Sequence, residues 1–307
     1  MDELKNTAAQ AAGAAVAAED EVVTFKRPSQ AKEIWRRFRK NRGSMIGLII
    51  LIIIFLLLIF AEFISPYEIA IKQIPENILA KPSAQHLFGC DAYGRDVLSR
   101  ILHGGRVSLA IALIATMTSC IVGSTLGAIA GYFGKWIDSI IMRALDIFMS
   151  VPDILFTMTV VVALGANFVN LLIALTLAYF TNYVRLVRSQ VLNLSEQEYV
   201  EAARAGGSGN ARIILSHIIP NAMGVIIVNV TLNVAKIIIY ESTLSFLGLG
   251  MPPPQPEWGL MLSEAREVMR KAPFLLFFPA AAIVICACCI NLVGDGLRDA
   301  LDPHLKS

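Results

Sequence analysis

The apolar residues of this chain fall in long uncharged blocks, not in the short alternations of a soluble core. Residues 45–61, MIGLIILIIIFLLLIFA, carry no charge, and the next acid is Glu62. A helix needs about 20 apolar residues to cross a hydrocarbon layer of ~30 Å, so a first span is predicted over 45–64. No charge lies between Arg106 and Lys135, which gives a second span. A third begins near Ser139 and carries Arg143, Asp146 and Asp153 close to its inner end. Residues 154–184 are uncharged but too long for one crossing, and a tight turn at Gly165-Ala166-Asn167 starts a fourth span over about 168–187. A fifth starts near Pro220, where a proline's missing N–H costs least, and runs to about residue 246. A sixth covers about 272–292. The pattern predicts an all-α, polytopic membrane protein with six transmembrane helices.

Composition agrees. The chain has 307 residues, of which only 16% are charged, against about 25% in soluble domains. Residues 32–42 hold six Lys/Arg against the single acid Glu33, and such an excess marks the cytoplasmic side. Six crossings return the tail at 295–307 to that same side. Residues 1–29 read as a disordered cytoplasmic tail. Next, Ile34, Trp35 and Phe38 share one face of a basic helix, which suits the surface of an anionic bilayer. A span follows at once, so nucleic acid is not the partner. The outer loop at 65–106 holds Lys72, Lys81, Arg95, Arg100 and Arg106, offset by Glu68, Glu76, Asp91 and Asp96.

One polar stretch interrupts this pattern: EYVEAARAGGSGNARIILSHIIPN, residues 198–221. Its alanines remove side-chain bulk, and Gly206, Gly207 and Gly209 permit backbone angles closed to other residues. Two readings are open. The stretch is an amphipathic connector lying on the membrane, or a compact knob that another protein grips. The small residues, with Glu201, Arg204 and Arg212 as fixed charges, favour the knob.

Glu201-Ala202-Ala203, then Gly207, and onward to Ile219-Pro220, resembles the EAA loop of ABC importer permeases, where Leu usually precedes the proline. HLFGCDAYGRDVLSRILHGGRVSL (86–109), ESTLSFLGLGMPPPQPEWGLML (241–262) and NLVGDGLRDALDP (291–303) are similar to the dipeptide/oligopeptide/nickel permease family, in its C-type subunit. That family commonly has Thr where this chain has Cys90. The resemblance implies a type I ABC importer permease fold: an interfacial helix and first span over 30–64, then a five-helix core over 107–294. It implies that residues 195–219 couple the chain to ATPases, with Glu201, Ala202, Ala203 and Gly207 as the coupling residues. The implied partners are a B-type permease subunit, two ABC ATPase subunits and an extracytoplasmic solute-binding protein that delivers di- or oligopeptides. ATP and Mg would sit on the ATPases, with no cofactor in this chain. The sequence contains no GxxxxGK[ST] to cradle phosphates and no nucleophile–base pair, so a transport subunit in the cell membrane is expected, not an enzyme. A self-sufficient secondary transporter would often show inverted repeats, and none is visible.

A few residues invite more than packing. Lys236 and Glu241 stand in or near the fifth span, where a charge is costly and faces a cavity or a partner, so both are candidates for the translocation path. Trp258 lies just past that span, as an interfacial anchor or a contact for the binding protein. Gly123, Gly127 and Gly131 form a small-residue face, either packed within the subunit or sliding during transport. Cys286, Cys288 and Cys289 read as packing residues, and Asp295, Asp299 and Asp302 as interfacial caps and pairs. No metal site is expected.

Overall fold

Side-chain caps set where several of the helices begin. The computed structural model describes residues 30–301; the tail expected over 1–29, together with Asp302 and His304, lies outside them. Helix α1 (Gln30–Lys40) leads to α2 (Arg42–Ile59), which Asn41 caps by accepting from Ser44 N at 3.3 Å. Short helices α3 (Ala61–Ile64) and α4 (Tyr67–Ile71) and an irregular segment follow. Asp96 then caps α5 (Val97–Phe133), accepting from Ser99 N at 2.8 Å. Beyond it come α6 (Lys135–Met149), α7 (Asp153–Leu164) and α8 (Phe168–Ser195). Helix α9 (Glu198–Ala205) and α10 (Asn210–Ile213) precede α11 (Ile219–Phe246). Helices α12 (Trp258–Ala265) and α13 (Phe274–Leu301) complete the described chain.

Helices α2, α5, α8, α13 and the continuous run Asn210–Phe246 are each long and apolar enough to cross a membrane. The third expected crossing is not one straight helix. Helices α6 and α7 are bent by 83° at Ser150–Pro152. At 1.5 Å per residue, α7 rises only about 18 Å, short of the ~30 Å layer, so the sixth crossing exists only as this broken pair. Two Arg–Asp contacts tie α6 to α8: Arg188 to Asp138 at 2.5 and 2.7 Å, and Arg185 to Asp146 at 2.9 Å. The turn at Gly165-Ala166-Asn167 is present, with Asn167 capping α8 through a 2.9 Å bond from Asn170 N.

Small residues decide which spans touch. A Cβ on Gly123 would stand 2.5 Å from the Phe180 carbonyl, and one on Gly127 2.5 Å from that of Val184. One on Gly131 would stand 2.9 Å from that of Arg188. The glycine face is therefore packed against α8 within this chain, which resolves the two sequence readings in favour of internal packing. Gly47 on α2 fits beside the Cys289 carbonyl, and Gly296 on α13 receives Ser44 and Phe38. Gly296 thus seats α1 and α2 on the end of α13. On its other side α2 exposes Ile46, Ile49, Ile53 and Ile59, as a lipid-facing helix does.

Helix α5 starts ten residues earlier than the charge pattern implied, because two arginines that read as loop are buried in ion pairs. Arg95 donates to Asp91 Oδ2 at 2.6 Å and to Glu264 Oε2 at 2.7 Å, while Arg100 donates to Glu264 Oε2 at 2.9 Å. Arg106 caps the end of α2, donating to the Leu58 and Ile59 carbonyls. Paired in this way, Arg95 and Arg100 carry little weight in the charge asymmetry between the two sides. Removing one partner of a buried pair costs about 3–5 kcal/mol, because the other charge stays behind. Arg100→Met is accordingly expected to lower the thermal unfolding temperature in detergent markedly, whereas Lys81→Met, at an exposed position, should leave it unchanged.

Candidate functional site

The polar interruption is one short helix, a glycine turn, and a long helix that begins early. Gly206 ends α9, and Gly207 takes φ 79°, the left-handed region where glycine meets no steric penalty. Gly207 N donates to Arg204 O and Ser208 N to Ala203 O, both at 3.0 Å. This pair of bonds is a Schellman motif, which satisfies carbonyls that a helix end leaves open. The fifth span, expected to start near Pro220, begins earlier, at Asn210. Helix α10 runs through a π-helical turn (Ile214–Ile218) into α11. A proline ring presses on the carbonyl four residues back, and a wider π turn gives it room.

One face of this block is buried. Val200, Ile213 and Ile218 are fully enclosed with Val187 and Val191 of α8, Ala128 of α5, and Ala222 and Ile226 of α11. Tyr132 Oη donates to Asn210 Oδ1 at 3.0 Å, and the Arg204 guanidinium lies over the Tyr132 ring. The other face is open: Glu201, Ala202, Gly207 and Leu215 are exposed. The four residues expected to couple therefore divide. Ala203 is half-buried against the block's own core, so a bulky residue there would disturb the block before it met a partner. Of the others, Glu201 and Ala202 are exposed, and Gly207 makes the turn.

Helix α11 also presents an open face. Asn221, Asn229, Lys236 and Thr243 recur at intervals of seven or eight residues, so they share one side of the helix. Asn221 and Asn229, with Gln190 of α8 and Arg298 of α13, line an open hollow of about 700 Å3. Lys236 is exposed one turn beyond Leu232 at its edge. Glu241 does not join it. That residue is fully buried, with Ser242 Oγ donating to Oε2 at 3.3 Å and the Glu257 carboxyl nearby. Lys236 and Glu241 project from different sides of α11, and of these two candidates only Lys236 is exposed.

Trp258 is likewise interior, 1% exposed. Its Nε1 donates to Ile101 O at 2.9 Å, and its ring fills the space left by Gly105. Glu257 caps α12, accepting from Gly259 N and from Leu260 N, and also receives the Ser108 hydroxyl. The ring therefore offers neither an interfacial anchor nor a surface for a docked protein; its exposed neighbours are Pro252, Pro253, Pro254 and Gln255.

These features define a multi-pass helical membrane protein with a rigid block at one end of its spans and a polar face along one of them. The chain belongs to the family of binding-protein-dependent transport system inner membrane components, whose profile matches residues 123–307. The profile for the N-terminal transmembrane domain of oligopeptide transport permease C matches residues 29–82. Over 276 residues the chain is 43% identical to the dipeptide transport system permease protein DppC of Alkalihalophilus pseudofirmus, covering 90% of each. It is 39% identical over 293 residues to the DppC protein of Haemophilus influenzae, covering 94% of this chain and 99% of that one. To the glutathione transport system permease protein GsiD of Escherichia coli it is 41% identical over 274 residues, covering 89% and 90%. A chain of the MetNI methionine ABC transporter, solved in inward-facing form, shares the fold with a TM-score of 0.55 at 19% identity, over 67% of this chain and 97% of that one. This protein is therefore a permease subunit of an ABC importer, a transport component and not an enzyme.

Proposed function

We propose that this chain forms half of a translocation path for short peptides. It pairs with a B-type permease subunit, receives solute from an extracytoplasmic binding protein, and is driven by two ABC ATPases that use Mg-ATP and grip the block at 198–209. The observation that carries this reading is the block itself, exposed on one face and fused on the other to the ends of α5, α8 and α11. A push on it reaches three spans without passing through a flexible joint. Relatives named for dipeptide and glutathione transport support short peptides as the solute class. In this reading the excess of basic residues in α1 supports a cytoplasmic side for α1, the block and the end of α13, with residues 66–100 and 250–270 outside.

The open face of α11 supplies the path wall. A lone cation in a span is costly unless water or a partner meets it, and Lys236 has no acidic partner among the described residues. Facing a water-filled route between two permease chains, it meets the carboxylate that every unmodified peptide carries. In a cysteine-free background assembled with its partner subunits, Lys236→Cys is expected to react with a small hydrophilic thiol reagent, and dipeptide is expected to slow the reaction. Labelling equal to that of a lipid-facing control, Ile49→Cys, would remove Lys236 from the path. ATP-independent uptake by the reconstituted complex would overturn the importer reading as a whole.

A further inference from the structure

Three donor side chains outside the block and the open face of α11 meet in the segment ahead of α5. Cys90 and Asp96 form an isolated antiparallel bridge, flanked by bonds from Asp91 N to Arg95 O and from Val97 N to Gly89 O, each 3.0 Å. Residues opposed in this way carry their Cβ atoms roughly 4.5–5.5 Å apart. His86 reaches the same spot, with Nδ1 2.8 Å from Asp96 Oδ2. One ligand atom from each of His86, Cys90 and Asp96 lies within 4.8 Å of the other two; Cys90 is buried and the others half-buried. No sequence motif announces this group, because the bridge and not the spacing assembles it.

We propose that His86, Cys90 and Asp96 form a binding site for a borderline divalent cation of the zinc class, with water as the fourth ligand. Mixed nitrogen, sulfur and oxygen donors are the set such a cation takes. A thiolate and a carboxylate balance its two charges. Zinc–ligand bonds near 2.1 Å imply a tetrahedral edge of about 3.4 Å, so the 2.8 Å contact between His86 and Asp96 need open by only about 0.6 Å. On binding, the thiol proton leaves to solvent, and the imidazole proton moves from Nδ1 to Nε2. There Asn77, whose amide nitrogen now lies 3.2 Å away, receives it by turning its oxygen inward. Asp96 Oδ1 keeps its cap on Ser99 N, so ligation through Oδ2 leaves the start of α5 intact. A bound cation would clip residues 77–90 to the first turn of α5.

The test uses the full chain in detergent, purified without a histidine tag and stripped with a chelator. Zinc is titrated in competition with a chromophoric chelator, and cobalt is added separately to read thiolate-to-metal absorption. The expected result is one zinc per chain, with affinity weakened about ten-fold or more in both Cys90→Thr and His86→Gln. The cobalt band should vanish in Cys90→Thr, a replacement of similar size. Absence of stoichiometric binding by the unaltered protein, or equal binding by it and both variants, would overturn the proposal.

Discussion

Gly207→Val and Ala202→Trp are each expected to yield a complex that inserts and pairs but whose ATP hydrolysis no longer rises with delivered solute. The two substitutions act on different physical features. At φ 79° a β-branched residue meets a penalty of about 1–2 kcal/mol, and the space around Gly207 is otherwise empty. The loss is therefore conformational: the Schellman bonds from Gly207 N and Ser208 N weaken, and α9 loses its fixed angle to α10. Ala202 is exposed, so tryptophan leaves the block's fold alone and fills the surface that an ATPase groove would receive. Neither position touches a membrane span. ATPase co-purification and solute-stimulated hydrolysis in reconstituted membranes measure the effect, which should be a fall to the unstimulated rate. Gly209→Ala is the control, since its φ is −67° and a Cβ there meets nothing.

Gly127→Val should fail earlier, at assembly. Its Cβ would stand 2.5 Å from the Val184 carbonyl and 3.1 Å from Arg188 N, both backbone atoms that no rotamer change can move. Overpacking a core costs about 1–3 kcal/mol when side chains can yield, and here the helices themselves must separate. Because α8 also anchors α6 through Arg185 and Arg188, the broken pair would be displaced with it. The expected outcome is a steep loss of folded protein on detergent size-exclusion, with Gly209→Ala at the unaltered level.

Most of the spans were legible because absence of charge over twenty residues is a strong physical signal. The turn at Gly165–Asn167 was legible too, since glycine and an asparagine cap punctuate a run too long for one crossing. The bend at Ser150–Pro152 was hidden by the continuous apolar composition around it, although a proline stood in plain view. The early start of α5 was hidden for the opposite reason: Arg95 and Arg100 look like loop residues until Asp91 and Glu264 are seen to neutralise them. Side-chain direction was the weakest part of the site. In an eight-residue helix, neighbouring alanines are turned about 100° apart, and only the fold shows that Ala202 is open while Ala203 packs against the core that holds Val200 and Ile213. Trp258 and Glu241 looked accessible because they flank a loop, yet Gly105 makes a hole for the one and Ser242 helps enclose the other.

If a separate ATPase drives this chain through its glycine-turned block, a cysteine at Ala202 must lie against that ATPase. Ala202→Cys, in a background without other cysteines, should form a cross-link with a short bifunctional thiol–amine reagent when the chain is assembled with its partner subunits. Mass spectrometry should identify the cross-linked peptide as part of the ATPase, and the yield should change when ATP is added. A cross-link to lipid-exposed or external partners only, or labelling of Ala202→Cys by an impermeant reagent from outside intact cells, would contradict the account.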